Sequence, residues 1–442
     1  MTSRAPWRVA LVFALFVTAG PSNVALGERA KADPVGVGPS PAGQTVGSAV
    51  VASFRELQEL VERVDGPAQI SLSPGTYCGD LVVRRPVRLS GSVGTVLEGS
   101  GGGTVVTISS SDVVLEDVVV RHSGRRHTAE DAGIKATGDR VVLSRLRVED
   151  SLFGVSFLEC HDCVVERVHV RGDGDDTELR GDGIKLWESN GSTVRASLVE
   201  GSRDMVVWYT KRATIENNIV RHSRYGSHFM YAHDARVVGN RFEANVVGVF
   251  VMYSLRLRVE RNVLAGARGA AGVGLGFKDS DAVDVVGNWL VGNTTGVYLD
   301  NTPRTVDAPV TFEGNVLAVN DVGARFHGSG AGVRLRRNEI KNNAVVVEVD
   351  GGGHALAVEA SGNHYSDYEG YDLDRDGVGD VPYEIKALSS DLTERHPTLK
   401  MFHGTAALGV IDAVARAMPV FASNLLFVDR APRMDAPLIE AP

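Results

Sequence analysis

Apolar and polar positions along this chain recur in short bursts rather than at helical spacing. An apolar pair, one or two variable residues, a polar residue and a second apolar pair appear as Thr214-Ile-Glu-Asn-Asn218-Ile-Val, Val237-Val-Gly-Asn240-Arg-Phe, Val259-Glu-Arg-Asn262-Val-Leu, Val285-Val-Gly-Asn288-Trp-Leu and Phe312-Glu-Gly-Asn315-Val-Leu. Asn338 and Asn363 continue the series at intervals of 22, 22, 26, 27, 23 and 25 residues, and fainter copies run back through Ser197, Arg167, Arg145 and Asp117. A second phrase opens on a glycine, as in Gly183-Ile-Lys-Leu-Trp, Gly226-Ser-His-Phe-Met, Gly248-Val-Phe-Val-Met, Gly272-Val-Gly-Leu-Gly and Gly296-Val-Tyr-Leu-Asp. Two short strands per period with no helix between them predict a solenoid, an all-β parallel β-helix of eleven or more coils. Right-handed winding is expected from the general preference of parallel crossovers. Stacking at about 4.8 Å would align the asparagines as a ladder at one corner.

The flanks read differently. Residues 1–27 have a basic start (Arg4, Arg8), an apolar run from Val9 to Ala19 and small residues at Ala25 and Gly27, the pattern of a cleaved secretory signal. Residues 28–47 are a Gly-, Pro- and Ser-rich lead-in, and 48–70 carry a capping helix in which Ser53 and Glu56 form a capping box ahead of Leu57, Leu60, Val61 and Val64. The solenoid occupies 71–366. Residues 367–442 hold an acidic loop and a helical tail, with Leu408, Ile411, Val414, Ala415 and Met418 at helical spacing. No later segment offers about 18 continuous apolar residues, the length a membrane helix needs. A net charge of -9 argues against a nucleic-acid partner, which calls for a basic face.

Period-two alternation sorts the second phrase by face. Ile184/Leu186, Val249/Val251, Val273/Leu275 and Val297/Leu299 point inward. Lys185/Trp187, Val206/Trp208, His228/Met230 and Phe250/Met252 point outward, and the outer column continues as Gly276, Asp300 and His327. Trp187, Trp208, Met230 and Met252 thus make an apolar stripe on four coils, which marks either an interaction site or a surface covered by a loop or the tail.

His228, Met230 and His233, with Met252 one coil on, offer imidazole and thioether donors that suit copper. His122, His127 and His222 are further exposed histidines. Cys160-His161-Asp162-Cys163 has the spacing of a metal clip or of a short disulfide. Asp372, Asp374, Asp376 and Asp380, with Gly377 at the turn, read as a calcium loop, although Tyr383 stands where an EF-hand places its closing glutamate. Asp173, Asp175, Asp176 and Asp182 would be the acids of a β-helix polysaccharide lyase, hydrolase or epimerase, but neighbouring coils supply no paired acid or arginine, so they read as a solvated loop.

The runs Gly181-Asp-Gly-Ile-Lys-Leu-Trp187, Arg224-Tyr-Gly-Ser-His228-Phe-Met230-Tyr-Ala-His-Asp234, Val251-Met-Tyr-Ser254 and Gly370-Tyr-Asp-Leu-Asp-Arg-Asp-Gly-Val-Gly-Asp-Val-Pro-Tyr383 resemble the NosD family over most of residues 50 to 437. The resemblance implies a periplasmic, non-enzymatic β-helix protein that assists maturation of the copper centre of nitrous oxide reductase. It implies partnership with a membrane permease, its cytoplasmic ATPase and a copper chaperone. The family's His/Met-rich stretch falls on His228, Met230 and His233, with Met252 and Tyr253 on the next coil. A secreted carbohydrate-active enzyme and a passive surface solenoid are the alternatives. Release of unsaturated or reducing sugars from acidic glycans would mark the first.

Overall fold

The computed structural model describes residues 47–442 except 173–175, 177–178, 387–391, 393–395, 403–404, 406, 408–409, 412–413 and 415–424. The expected signal, most of the lead-in, Asp173, Asp175 and the tail positions Leu408, Ala415 and Met418 lie outside the described residues.

The chain winds as a right-handed parallel β-helix of about 13 turns, with three sheets of 14, 12 and 13 strands. Each coil therefore contributes three strands, where the repeat predicted two. The first phrase is not one strand: its asparagine stands at a corner, with Thr214–Glu216 on one sheet and Ile219–Arg221 on the next. The preceding residue makes the corner by taking positive φ, as in Asn217 (55°), Gly239 (66°) and Arg261 (47°).

Because successive coils align in register, Asn218, Asn240, Asn262, Asn288, Asn315, Asn338 and Asn363 stack inside the wall. From Asn218 to Asn338, each Nδ2 donates to the Oδ1 of the next coil's asparagine at 2.8–3.0 Å. A second ladder, unanticipated, runs through Asn293, Asn320 and Asn343 at the following corner. Inward valines, leucines and isoleucines fill the interior, with Phe229, Phe242, Phe277, Phe312 and Phe326 among the largest fully buried side chains.

Both described ends are covered. The helix Phe54–Glu62 closes the first coil: Ser53 Oγ accepts from Glu56 N–H, Glu56 reciprocates to Ala52 N–H, and Leu57 and Val61 are buried. Val64, predicted to extend that face, lies past the helix end and is 98% exposed. At the other end Tyr383–Lys386 pairs antiparallel with Leu425–Asp429, and Phe427 and Tyr383 pack on Tyr365.

Candidate functional site

The strands Ile184–Trp187, Asp204–Trp208, Tyr225–Met230 and Val247–Met252 lie side by side in the 12-stranded sheet. Alternation along them puts Lys185, Val206, His228 and Phe250 in one outward column and Trp187, Trp208, Met230 and Met252 in a second. The structure corrects the continuation of the latter. Val273 pairs with Val247, which shifts that coil two residues from the predicted register, so Met252 is followed by Lys278, Asp300 and His327 while Gly276 belongs to the first column.

The stripe is not an open apolar patch. Its four side chains are half-buried against one another, with Trp187 and Trp208 centroids 5.7 Å apart. Lys185 is buried beneath the loop that ends at Glu130, its Nζ 2.6 Å from Glu130 Oε1 and 5.1 Å from the Trp187 ring.

His228 and Met252 do converge. Nε2 of His228 lies 3.2 Å from Sδ of Met252 on the next coil. Tyr225 stacks on the imidazole at 4.8 Å and 18°, Trp208 meets it edge-on at 5.4 Å, and Phe250 closes the far side against Tyr225 at 6.2 Å. Burial lowers the His228 pKa from its ordinary value, which keeps the ring neutral and its lone pair free. His228 Nδ1 and Trp208 Nε1 are shielded and, among the described residues, have no hydrogen-bond partner. A neutral imidazole beside a thioether in an aromatic wall fits a soft cation such as Cu(I). Met230 sits between Trp208 and Met252 in its column.

His233 is not part of this group. The chain leaves the sheet at Tyr231 (φ 52°), and His233 turns its Nδ1 to accept the Leu255 N–H at 3.1 Å, a corner role that His161 repeats on Asn190. Burial, then the Arg256 charge, lowers its pKa. His122 contacts Asp150, and His127 lies edge-on to Phe153.

Other predicted sites resolve as follows. Cys160 and Cys163 form a buried disulfide, which removes the metal-clip alternative. Asp372, Asp374 and Asp376 bring one oxygen each within 4.8 Å of one another; Asp380 stands outside that cluster and accepts the Leu373 N–H at 2.6 Å. Asp182 is no solvated acid: it is 4% exposed, paired with Arg203, and burial raises its pKa to about 6 despite that arginine.

Sequence reasoning missed Tyr225, because alternation counted from Gly226 leaves out the residue before it, which lies opposite Asp204 where the register shifts. It also missed a ladder of Tyr209, Tyr231 and Tyr253, stacked at 5.1–5.2 Å with Trp187 against Tyr209. All three tyrosines take positive φ just past their strands, so the tyrosine repeated after Trp208, Met230 and Met252 was the signal. Below Tyr209 opens a cavity of about 410 Å³ lined by Glu159, His161, Glu188, Asn190 and Lys211, apart from the His228 pair.

Residues 166–370 match the family described as periplasmic copper-binding protein (NosD). A relative from Pseudomonas aeruginosa named probable ABC transporter binding protein NosD is 29% identical over 82% of this chain and 87% of its own length. One of the same name from Stutzerimonas stutzeri is 27% identical over 85% and 89%. Among solved structures, the A-module of Azotobacter vinelandii mannuronan C-5 epimerase AlgE6 superposes with a TM-score of 0.59 at 16% identity, covering 72% of this chain and 96% of that one, a likeness of fold alone. The family match spans every coil that carries His228, Met252 and their aromatic wall, and this chain belongs to the NosD family.

Proposed function

We propose that this protein is a periplasmic accessory factor that takes up copper at His228 and Met252 and serves the maturation of the copper centre of nitrous oxide reductase. In this reading it works with an ABC-type ATPase and permease and receives or passes its metal through a copper chaperone. The observation that carries it is the 3.2 Å approach of imidazole nitrogen to thioether sulfur across two coils. The family's description supports copper and the periplasm, and the relatives' names support a transporter partner.

The chemistry follows from the donors. Thioether sulfur favours Cu(I) over harder cations, and an imidazole held neutral needs no proton removed before it binds. Two donors on rigid strands leave coordination positions open, so a chaperone's ligands can approach before His228 and Met252 are released. Binding rather than catalysis is the proposed role, because Asp182, the acid poised to exchange a proton near neutral pH, is enclosed and held by Arg203. Ca²⁺ at Asp372, Asp374 and Asp376 would brace the C-terminal loop and take no part in copper handling.

Competition with a Cu(I) chelator tests the site: the mature protein should retain one Cu(I), and His228→Ala with Met252→Leu should abolish retention while the fold persists. Equal retention by the double variant sinks the assignment. Sugar release from acidic glycans that Asp182→Asn abolishes would put the carbohydrate-active enzyme in its place.

A further inference from the structure

We infer that Asp204, Arg224 and Tyr225 form a positioning relay that holds the His228 ring against Met252; as a copper device this rests on the function proposed above. The relay begins at an irregularity in the wall. On the 12-stranded sheet a column of glycines stacks coil on coil, because a Cβ there would strike the next backbone: one at Gly154 would come 2.2 Å from Gly183 O, and one at Gly226 2.4 Å from Gly248 O. Gly248, Gly274 and Gly296 keep to this rule, whereas a Cβ at Gly183, opposite Asp204 on the next coil, would meet the Val199 and Ser202 side chains instead. Between Gly183 and Gly226 stands Asp204, on the coil directly beneath His228. Room is made by a local shift of register, since Asp204 lies opposite Tyr225 whereas Val206 lies opposite His228.

A carboxylate 1% exposed is costly unless fully paired. Arg224 supplies that pairing, with Nε on Oδ1 at 3.0 Å and Nη2 on Oδ2, and the Tyr225 N–H also donates to Oδ1 at 3.2 Å. The fixed guanidinium then lies 5.2 Å from the Tyr225 ring centroid, a cation–π contact. Tyr225 in turn covers one face of the His228 imidazole, which Trp208 abuts edge-on. The fold does not require any of this, since glycine serves on the neighbouring coils, and a buried ion pair is weak evidence of added stability. What the arrangement provides is a single orientation for a histidine whose own Nδ1, among the described residues, has no hydrogen bond to fix it.

The test uses the mature chain labelled with ¹³C at the methionine methyls, with the Met252 resonance identified by its loss in Met252→Leu. Tyr225→Ala and Arg224→Gln should each move the Met252 methyl resonance and speed Cu(I) release to a chelator about 10- to 100-fold. Tyr225→Phe, which keeps the stacked ring, should restore both readouts, and far-UV circular dichroism should stay unchanged throughout. A Met252 resonance that stays put in both folded variants overturns the relay, as does unaltered release in a chain that binds Cu(I). Should the wild-type chain hold no Cu(I), the copper reading falls, while the methyl resonance still decides whether these residues position His228.

Discussion

Nδ2 of Asn363 donates to Oδ2 of Asp429 at 2.8 Å, so the asparagine ladder ends on a carboxylate supplied by the last strand. The top coil has no neighbour to provide the next amide oxygen, and Asp429, fully buried, takes its place while also accepting the Tyr365 hydroxyl at 3.1 Å. Burial, reinforced by that charge, pushes the Tyr365 phenol well above its usual range. Asp429→Ala should leave two buried donors unsatisfied and cost about 2–5 kcal/mol. Thermal melts report the loss, and hydrogen exchange should show it first in the coils around Asn338 and Asn363.

Phe250 depends on Gly276. A Cβ at Gly276 would lie 2.4 Å from the Phe250 ring, so Gly276→Ala should displace that wall of the site at a cost of about 1–3 kcal/mol. Phe250→Ala should relieve the clash. A double-mutant cycle by denaturant unfolding would show strong coupling, and strict additivity would contradict the contact.

Asp182 makes stability depend on pH in an unusual direction for an acid. Its folded pKa, raised to about 6 mainly by burial, means that stabilisation by the neutral form is complete below the unfolded value of 3.8 and is lost as pH rises through 6. Relative to Asp182→Asn, the wild-type chain should lose on the order of 3 kcal/mol between pH 4 and 7. Unfolding both proteins across that range checks the sign.

His228 should titrate below its ordinary 6.5 in the metal-free protein, since burial opposes the charged ring. Folded-state stability linked to this lowered group is present above the unfolded pKa and falls as pH drops through the folded one. Imidazole NMR shifts against pH give the midpoint, and a midpoint above 6.5 would contradict the enclosed geometry.

Ca²⁺ should stabilise the fold through Asp372, Asp374 and Asp376 by about 2.7 kcal/mol at one hundred times the dissociation constant, read as a rise in melting temperature. Asp374→Asn should remove most of the effect. Asp380→Asn should change it less, because that carboxylate stands outside the cluster of three.

The solenoid was legible in the sequence because every coil repeats the same physical demand, so the spacing of Asn218, Asn240 and Asn262 and the inward valines announced it many times over. The third strand was not, since the asparagine that marks the repeat hides a corner inside what looks like one strand. His228 and Met252 were legible through alternation on adjacent coils. His233 was misplaced with them because nearness in sequence spans a corner, beyond which side chains point elsewhere. Tyr225, Arg224 and Asp204 escaped notice for a related reason: periodic reading finds what obeys the repeat, and Asp204 matters by breaking it.

The parallel, in-register stacking described above also restricts how such a site can change over time. Each donor rides on its own coil, so gaining or losing a whole coil moves it along the rod in fixed steps of about 4.8 Å and leaves its facing unchanged. A one-residue insertion within a strand does the reverse, turning a donor from outside to inside without moving it along the rod. Lineages can therefore lengthen the scaffold freely above or below Val247–Met252, whereas the joint between that strand and Tyr225–Met230 admits no intermediate.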